Sequence, residues 1–201
     1  MKLKVHPAVN HMIAIRENIP AKTGKSLEEW SAIVTKAGLS VSKDIIAFLK
    51  AEYGLGRPTC MVIASDALGM HEDFDADAYL EKVPTVVDAQ FTGKKEHLRE
   101  FADKLYAIIE EQGDDVGASP CKTYVPFYRN HVFAQVKAAT QKRIDLGLAL
   151  KDYDGGLPER LIDTGGLAKG DRITHRIEVS SADDVDDDLI SWIKSAYELD
   201  A

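Results

Sequence analysis

Cysteine is scarce. Cys60 and Cys121 stand far apart and outside any Cys-x-x-Cys or Cys/His cluster, so neither a disulfide framework nor a structural zinc site is expected. Long apolar runs are missing too: no stretch approaches the roughly 18 residues of a membrane span. The opening Met1-Lys2-Leu3-Lys4-Val5-His6-Pro7 is broken by polar residues before any signal-peptide core can form. The expected setting is therefore cytoplasmic, with reduced thiols and no membrane partner. An excess of positive charge is also absent. Lys and Arg number 25 against 33 Asp and Glu, a net charge of −8 over 201 residues, so the average field repels phosphate and any polyanion site must be local. No Gly-x-Ser-x-Gly elbow occurs, and neither Gly155-Gly156 nor Gly165-Gly166 follows a strand and opens a helix as a phosphate loop would. No cofactor is called for.

What remains is an ordinary globular composition, 45% hydrophobic and 29% charged. From residue 7 to 69 the periodicity is helical. A segment around residues 9–15 comes first. Ser26-Leu27-Glu28-Glu29 then reads as a capping box before Trp30, Ile33 and Val34, with Gly38 as the stop. Ser42 opens the next helix, which ends at Gly54, and Pro58 suits the first turn of another running to Gly69. This predicts a small helical bundle over residues 1–70. Residues 71–93 read as an acidic linker holding one short helix at 77–83, broken by Pro84.

The rest, residues 94–201, reads α-β-β-β-β-α. A helix through Leu98, Leu105 and Ile109 precedes strand-like runs at 122–129, 131–137, 142–150 and 172–180. A final helix is capped near Ser181. The fold class expected is α+β: the helical bundle, then an antiparallel sheet with both helices on one face.

Two stretches carry a resemblance. Asn18 to Trp30, containing Thr23-Gly24-Lys25-Ser26-Leu27-Glu28-Glu29-Trp30, with Ile45 to Lys50 and Tyr53-Gly54-Leu55-Gly56, resembles a small helical domain of uncharacterised bacterial proteins. Residues 94–201, with Lys122-Thr123-Tyr124-Val125, Lys142 to Leu148 and Thr174-His175-Arg176, are similar to a second uncharacterised domain. That domain is also met as the tail of predicted transport and restriction-endonuclease-like proteins. The resemblance implies a two-domain family of unknown function and brings no catalytic residue with it. Similar sequences carry Lys or another polar residue where this chain has Cys121, which argues against a cysteine nucleophile.

Strand parity sorts the candidate residues. Ile173, His175, Ile177 and Val179 share one face of the last strand, so His175 is expected inward as a hydrogen-bonded structural histidine. Arg176 points the other way, as do Arg143 and Asp145 on the third strand, and Gln135 and Lys137 join them from the second. Two readings of this face stay open. One is a solvated surface of cross-strand ion pairs. The other is an anion-binding platform in which Arg143 and Arg176 supply donor forks, Asp145 orients one of them, Lys122 adds charge and Tyr124 offers a stacking surface. Charge is segregated in a way that favours the platform: residues 115–181 hold ten bases and eight acids, whereas 182–201 hold seven acids and only Lys194. The acidic run from Asp183 to Asp188 suits a helix N-terminus rather than a metal site. The leading function is a non-enzymatic binding module for an anionic ligand, a nucleic acid strand or a protein segment. The alternative is an enzyme with its site in a cleft between the domains near Lys122, Arg143 and Arg176. A homodimer is the base-rate expectation.

Overall fold

The computed structural model describes residues 1–70 and 74–201; residues 71–73 of the acidic linker lie outside the described residues. The chain divides into two units, Val5–Glu81 on one hand and Met1–Lys4 with Lys82–Ala201 on the other.

The first unit holds α1 (Pro7–Thr23), α2 (Leu27–Lys36), α3 (Ser42–Tyr53) and α4 (Arg57–Ala67). α1 is far longer than the segment at 9–15. Pro7 starts it, His6 Nδ1 accepts from the Ala8 N–H at 3.1 Å in place of the usual hydroxyl or carboxylate cap, and Gly24 ends it at φ +71°. Pro20 sits within the last turns without ending the helix: Met12, Ile15 and Ile19 before it pack against the bundle, and Thr23 after it accepts the Trp30 indole N–H. The capping box of α2 forms as expected: Glu29 N–H donates to Ser26 Oγ at 3.2 Å and Ser26 N–H to Glu29 Oε2 at 2.7 Å. Ser42 does not cap α3; Val41 holds that position without a side-chain bond. Buried Trp30 donates its indole N–H to Thr23 Oγ1 at 2.9 Å and meets the Tyr53 ring edge-on at 5.0 Å. α4 packs against α1, α2 and α3. Accordingly, its Cys60, Val62, Ile63 and Ala64 are buried on several sides rather than along one stripe.

α5 (Ala76–Ala89) replaces the short helix expected at 77–83. Asp75 caps it, accepting from Ala78 N–H at 2.8 Å. Pro84 is housed inside the helix rather than breaking it, with buried Val83 and Val87 one turn apart across it.

The second unit continues through a 3-10 segment (Gly93–Leu98), α6 (Arg99–Glu110), β1 (Gly117–Ala118), β2 (Val125–Tyr128), β3 (Val132–Lys137), β4 (Ile144–Leu148), β5 (Ile162–Asp163), α7 (Gly166–Lys169), β6 (His175–Val179) and α8 (Asp187–Glu198). The six strands order β1-β2-β3-β4-β6-β5, and every neighbouring pair among them is antiparallel. The four strands read from sequence form its centre. β1 and β5, at two residues each, are too short to show alternation. Leu3 adds a parallel bridge to Ala118, secured by Lys4 N–H to Ala118 O and Ala118 N–H to Lys2 O, both 2.8 Å. In the centre Val136 faces Leu146, which faces Ile177, and Ile144 faces Val179. All five are buried. α6 brings Ala102, Leu105 and Ile109, and α8 brings Leu189, Ile193 and Ala196, to cover this face. The fold is α+β, as the sequence predicts.

The acidic entry to α8 is two caps in series. Ser180 and Ser181 donate their N–H groups to Asp184 Oδ2 at 2.7 and 2.8 Å, and Asp186 accepts from Leu189 N–H at 2.9 Å. Arg160 braces the run, 2.8 Å from Asp186 and 3.0 Å from Asp188. The Ser180 amide chiefly holds the Asp184 carboxyl below the ordinary value of 3.8, and the Arg160 guanidinium does the same for Asp186. Depressed carboxylates stabilise the fold above their ordinary pKa, and that stability is lost as pH falls through their lower folded values. The melting temperature of this unit should therefore decline below about pH 4, and Arg160→Met should lie below the parent at neutral pH and converge on it in acid. Parallel melting-temperature curves from pH 7 to acid would show that Arg160 acts through packing instead.

Candidate functional site

Alternation carries Arg143 and Arg176 to the same side of the sheet, opposite the helices. There Asp145 and Glu178 stand directly across from one another on β4 and β6, a pairing that two carboxylates alone would resist. The arginines resolve it. Arg143 lies 2.9 Å from Asp145 Oδ1 and 2.9 Å from Glu178 Oε1, while Arg176 lies 2.6 Å from Glu178 Oε1 and 3.3 Å from Asp145 Oδ1. Glu178 raises the Arg176 pKa. The result is a closed square of two cations and two anions, its side chains 19–34% exposed. Both guanidinium groups are engaged within it, and the four charges cancel.

Gly147 opens a space beside the square. A Cβ there would stand 2.6 Å from Ile173 Cγ2 and 2.8 Å from Gln135 Cγ. Ile173 therefore lies over the outer face, not with His175 as strand parity implies. β6 begins only at His175, and the preceding segment does not follow its alternation. His175 does take the core side, opposite Leu148, but it is half-buried at the strand's start. Its Nδ1 shares a 3.0 Å hydrogen bond with Thr174 Oγ1.

Lys122 and Tyr124 sit away from the square, in the connection from β1 to β2. The Cys121 N–H donates to Tyr124 O at 2.9 Å, which closes a tight turn and lifts Lys122 and Thr123 to its exposed tip. Tyr124 turns back, half-buried. Burial first, then the neighbouring Cys121 thiol, raises its pKa. Burial likewise raises the Cys121 thiol and pushes the Tyr128 hydroxyl up to about 12, so at neutral pH none of the three is an activated nucleophile or base.

Lys122 instead borders a cleft of about 470 Å³, within the size range of small-molecule sites. The turn after α5 contributes Gln90, the 3-10 segment Lys94 and Lys95, the turn tip Lys122 and Thr123, and the end of β3 with its following turn Lys137 and Gln141. Among the described residues, four ammonium groups line it, and no carboxylate or aromatic ring does. Lys95 is tied to Ala138 O at 2.6 Å. Among the described residues, Lys94, Lys122 and Lys137 make no ion pair. Gln90 is only 7% exposed, and its Nε2–H donates to Cys121 O at 2.8 Å. Its Oε1 has no hydrogen-bond partner among the described residues.

Of the residues singled out in the sequence, the structure thus joins Arg143, Asp145 and Arg176 in one cluster, sends Lys122 to the cleft and leaves Tyr124 between β1 and β2. Gln90, Lys94 and Lys95 escaped sequence reasoning. The adjacent lysines are a visible signal, but a charge count begun at residue 115 passes them by; Gln90 has no local signature at all.

Comparison with known families places these features. Residues 87–200, more than half of the chain, match the family described as domain of unknown function DUF5655. The chain belongs to this family. The DUF5655 span contains every cleft-lining residue and the whole ion-pair square. Residues 13–68, within α1 to just past α4, match a second family, domain of unknown function DUF4287. The chain is thus a helical DUF4287 segment followed by a DUF5655 sheet domain. No curated protein and no solved structure matches it.

Proposed function

We propose that the DUF5655 domain is a binding module for a small anionic ligand, held in the lysine-lined cleft rather than on the arginine face. The observation that carries this reading is the convergence of Lys94, Lys95, Lys122 and Lys137 around one concavity whose lining, among the described residues, holds no carboxylate, Asp145 standing across the β3–β4 ladder from Lys137 but outside it, in a chain whose net charge is −8. Like charges gathered around a concavity repel one another, and an anion relieves that cost. The arginines support the assignment by contrast, since an anion on their face must compete with Asp145 and Glu178 for donors already engaged. Binding rather than chemistry is favoured by a lining that, among the described residues, is lysine, glutamine, threonine and alanine, with no imidazole, thiol or carboxylate in it.

Isothermal titration of the full chain with pyrophosphate tests this. Lys122→Ala with Lys137→Ala should weaken binding roughly 10- to 100-fold, the worth of about 1.5–3 kcal/mol for a lost charge-assisted contact. Arg143→Ala with Arg176→Ala should leave affinity within about threefold, a difference below 1 kcal/mol. The reading fails if the parent chain does not take up pyrophosphate, or if the arginine pair rather than the lysine pair carries the affinity.

A further inference from the structure

Resting on the anion-binding reading of this cleft, its unopposed charge points to how many charges the occupant carries. We infer that the ligand is a chain of linked phosphates, of the diphosphate or polyphosphate class, taken up without a metal ion. The count of cations comes first. Lys94, Lys95, Lys122 and Lys137 line the cleft. Lys95 donates to Ala138 O, a neutral acceptor on the cleft wall, so that bond leaves its charge in place. Asp145 stands across the β3–β4 ladder from Lys137, but Arg143 and Arg176 already hold it. A phosphate monoester carries only about −1.5 to −2 at neutral pH, which leaves roughly half of the four charges unopposed. Each phosphate added to a chain brings further ionised oxygens into the same small volume, where attraction to the ammonium groups is strongest.

Space and donor geometry agree with this count. A cleft of about 470 Å³ has room for more than one phosphate. Its lysines come from three separate segments: the 3-10 segment, the turn tip and the end of β3. Tetrahedral phosphates offer oxygens in every direction to such donors. A carboxylate offers them in one plane and is matched best by a guanidinium fork, which the lining does not hold among the described residues. Magnesium joins a phosphate chain to a protein through carboxylates. Among the described residues the lining has none, and ammonium groups stand where they would be needed. A nucleobase adds little, because no aromatic ring of the described residues lines the cleft for it to stack upon.

The test is isothermal titration of the full chain with inorganic phosphate, pyrophosphate, tripolyphosphate, citrate and ADP, and with pyrophosphate again in excess Mg²⁺. Pyrophosphate should bind at least about tenfold more tightly than phosphate, and tripolyphosphate at least as tightly as pyrophosphate. Citrate, a carboxylate of comparable charge, should bind about tenfold more weakly than pyrophosphate, and ADP no more tightly than pyrophosphate. Mg²⁺ should weaken pyrophosphate binding. Lys94→Gln, at an exposed position, should cost pyrophosphate about five- to tenfold and phosphate less than about twofold, with thermal unfolding confirming a folded variant. Equal affinity for phosphate and pyrophosphate would overturn the inference and leave a single-phosphate site standing. Citrate matching pyrophosphate would overturn it in favour of charge alone, a clear advantage for ADP in favour of base recognition, and tighter binding with Mg²⁺ in favour of a metal-bridged ligand. If none of the anions bound, this inference and the anion site would fall together.

Discussion

Trp30→Ala is expected to destabilise the helical unit by about 3–5 kcal/mol, the usual cost of emptying a buried aromatic site. Trp30 is 2% exposed and sits where α2 meets the end of α1 and the end of α3. Its ring meets Tyr53 at 88° and its N–H holds Thr23. The hydroxyl of Thr23 in turn donates to Ile19 O at 2.7 Å, so the last turn of α1 is tied to the same side chain. A domain's total stability is about 5–15 kcal/mol, so the variant should be largely unfolded at moderate urea. Trp30→Phe, which refills much of the volume without the N–H, should cost less than half as much. Urea titration followed by far-ultraviolet circular dichroism measures both. Equal midpoints for the parent and Trp30→Ala would show that the bundle is not organised around this residue.

A second large effect separates neighbours in sequence. Leu146→Ala should destabilise the sheet unit by about 3–5 kcal/mol, whereas Asp145→Ala, one position earlier, should cost roughly 1 kcal/mol. Leu146 is fully buried between Val136 and Ile177 on the face that α6 and α8 cover. The cavity left by alanine cannot close against strands held in register on both sides. Asp145 points the other way, into a square where Arg143 and Arg176 retain Glu178 as a partner after its loss. Differential scanning calorimetry of the two variants checks the contrast; comparable losses would mean that the ion-pair face is as structural as the core.

The same alternation explains how far the sequence could be read. Period-two patterning in β4 and β6 is a local property, and it placed Arg143, Asp145 and Arg176 on one side correctly because the register allows no other arrangement once Ile144, Leu146, Ile177 and Val179 are buried. The capping box at Ser26 and the glycine stops at Gly38, Gly54 and Gly69, all at positive φ, are likewise local. Errors arose where tertiary packing outweighed local preference. Pro84 was housed inside a helix rather than breaking it because Val83 and Val87 on either side of it are buried. Ile173 left the expected face because it precedes the point at which strand pairing imposes parity.

Helical and strand periodicity, read along the chain, determined the α+β class, the order of the main elements and the side of the sheet that Arg143, Asp145 and Arg176 occupy, because side-chain direction within a paired strand follows from the backbone repeat. The cleft was decided only by the tertiary structure. Its lining comes from residues spread over positions 89–141, and their meeting depends on how α5, the turn at Lys122 and the end of β3 pack together, which no periodicity within any one of them encodes.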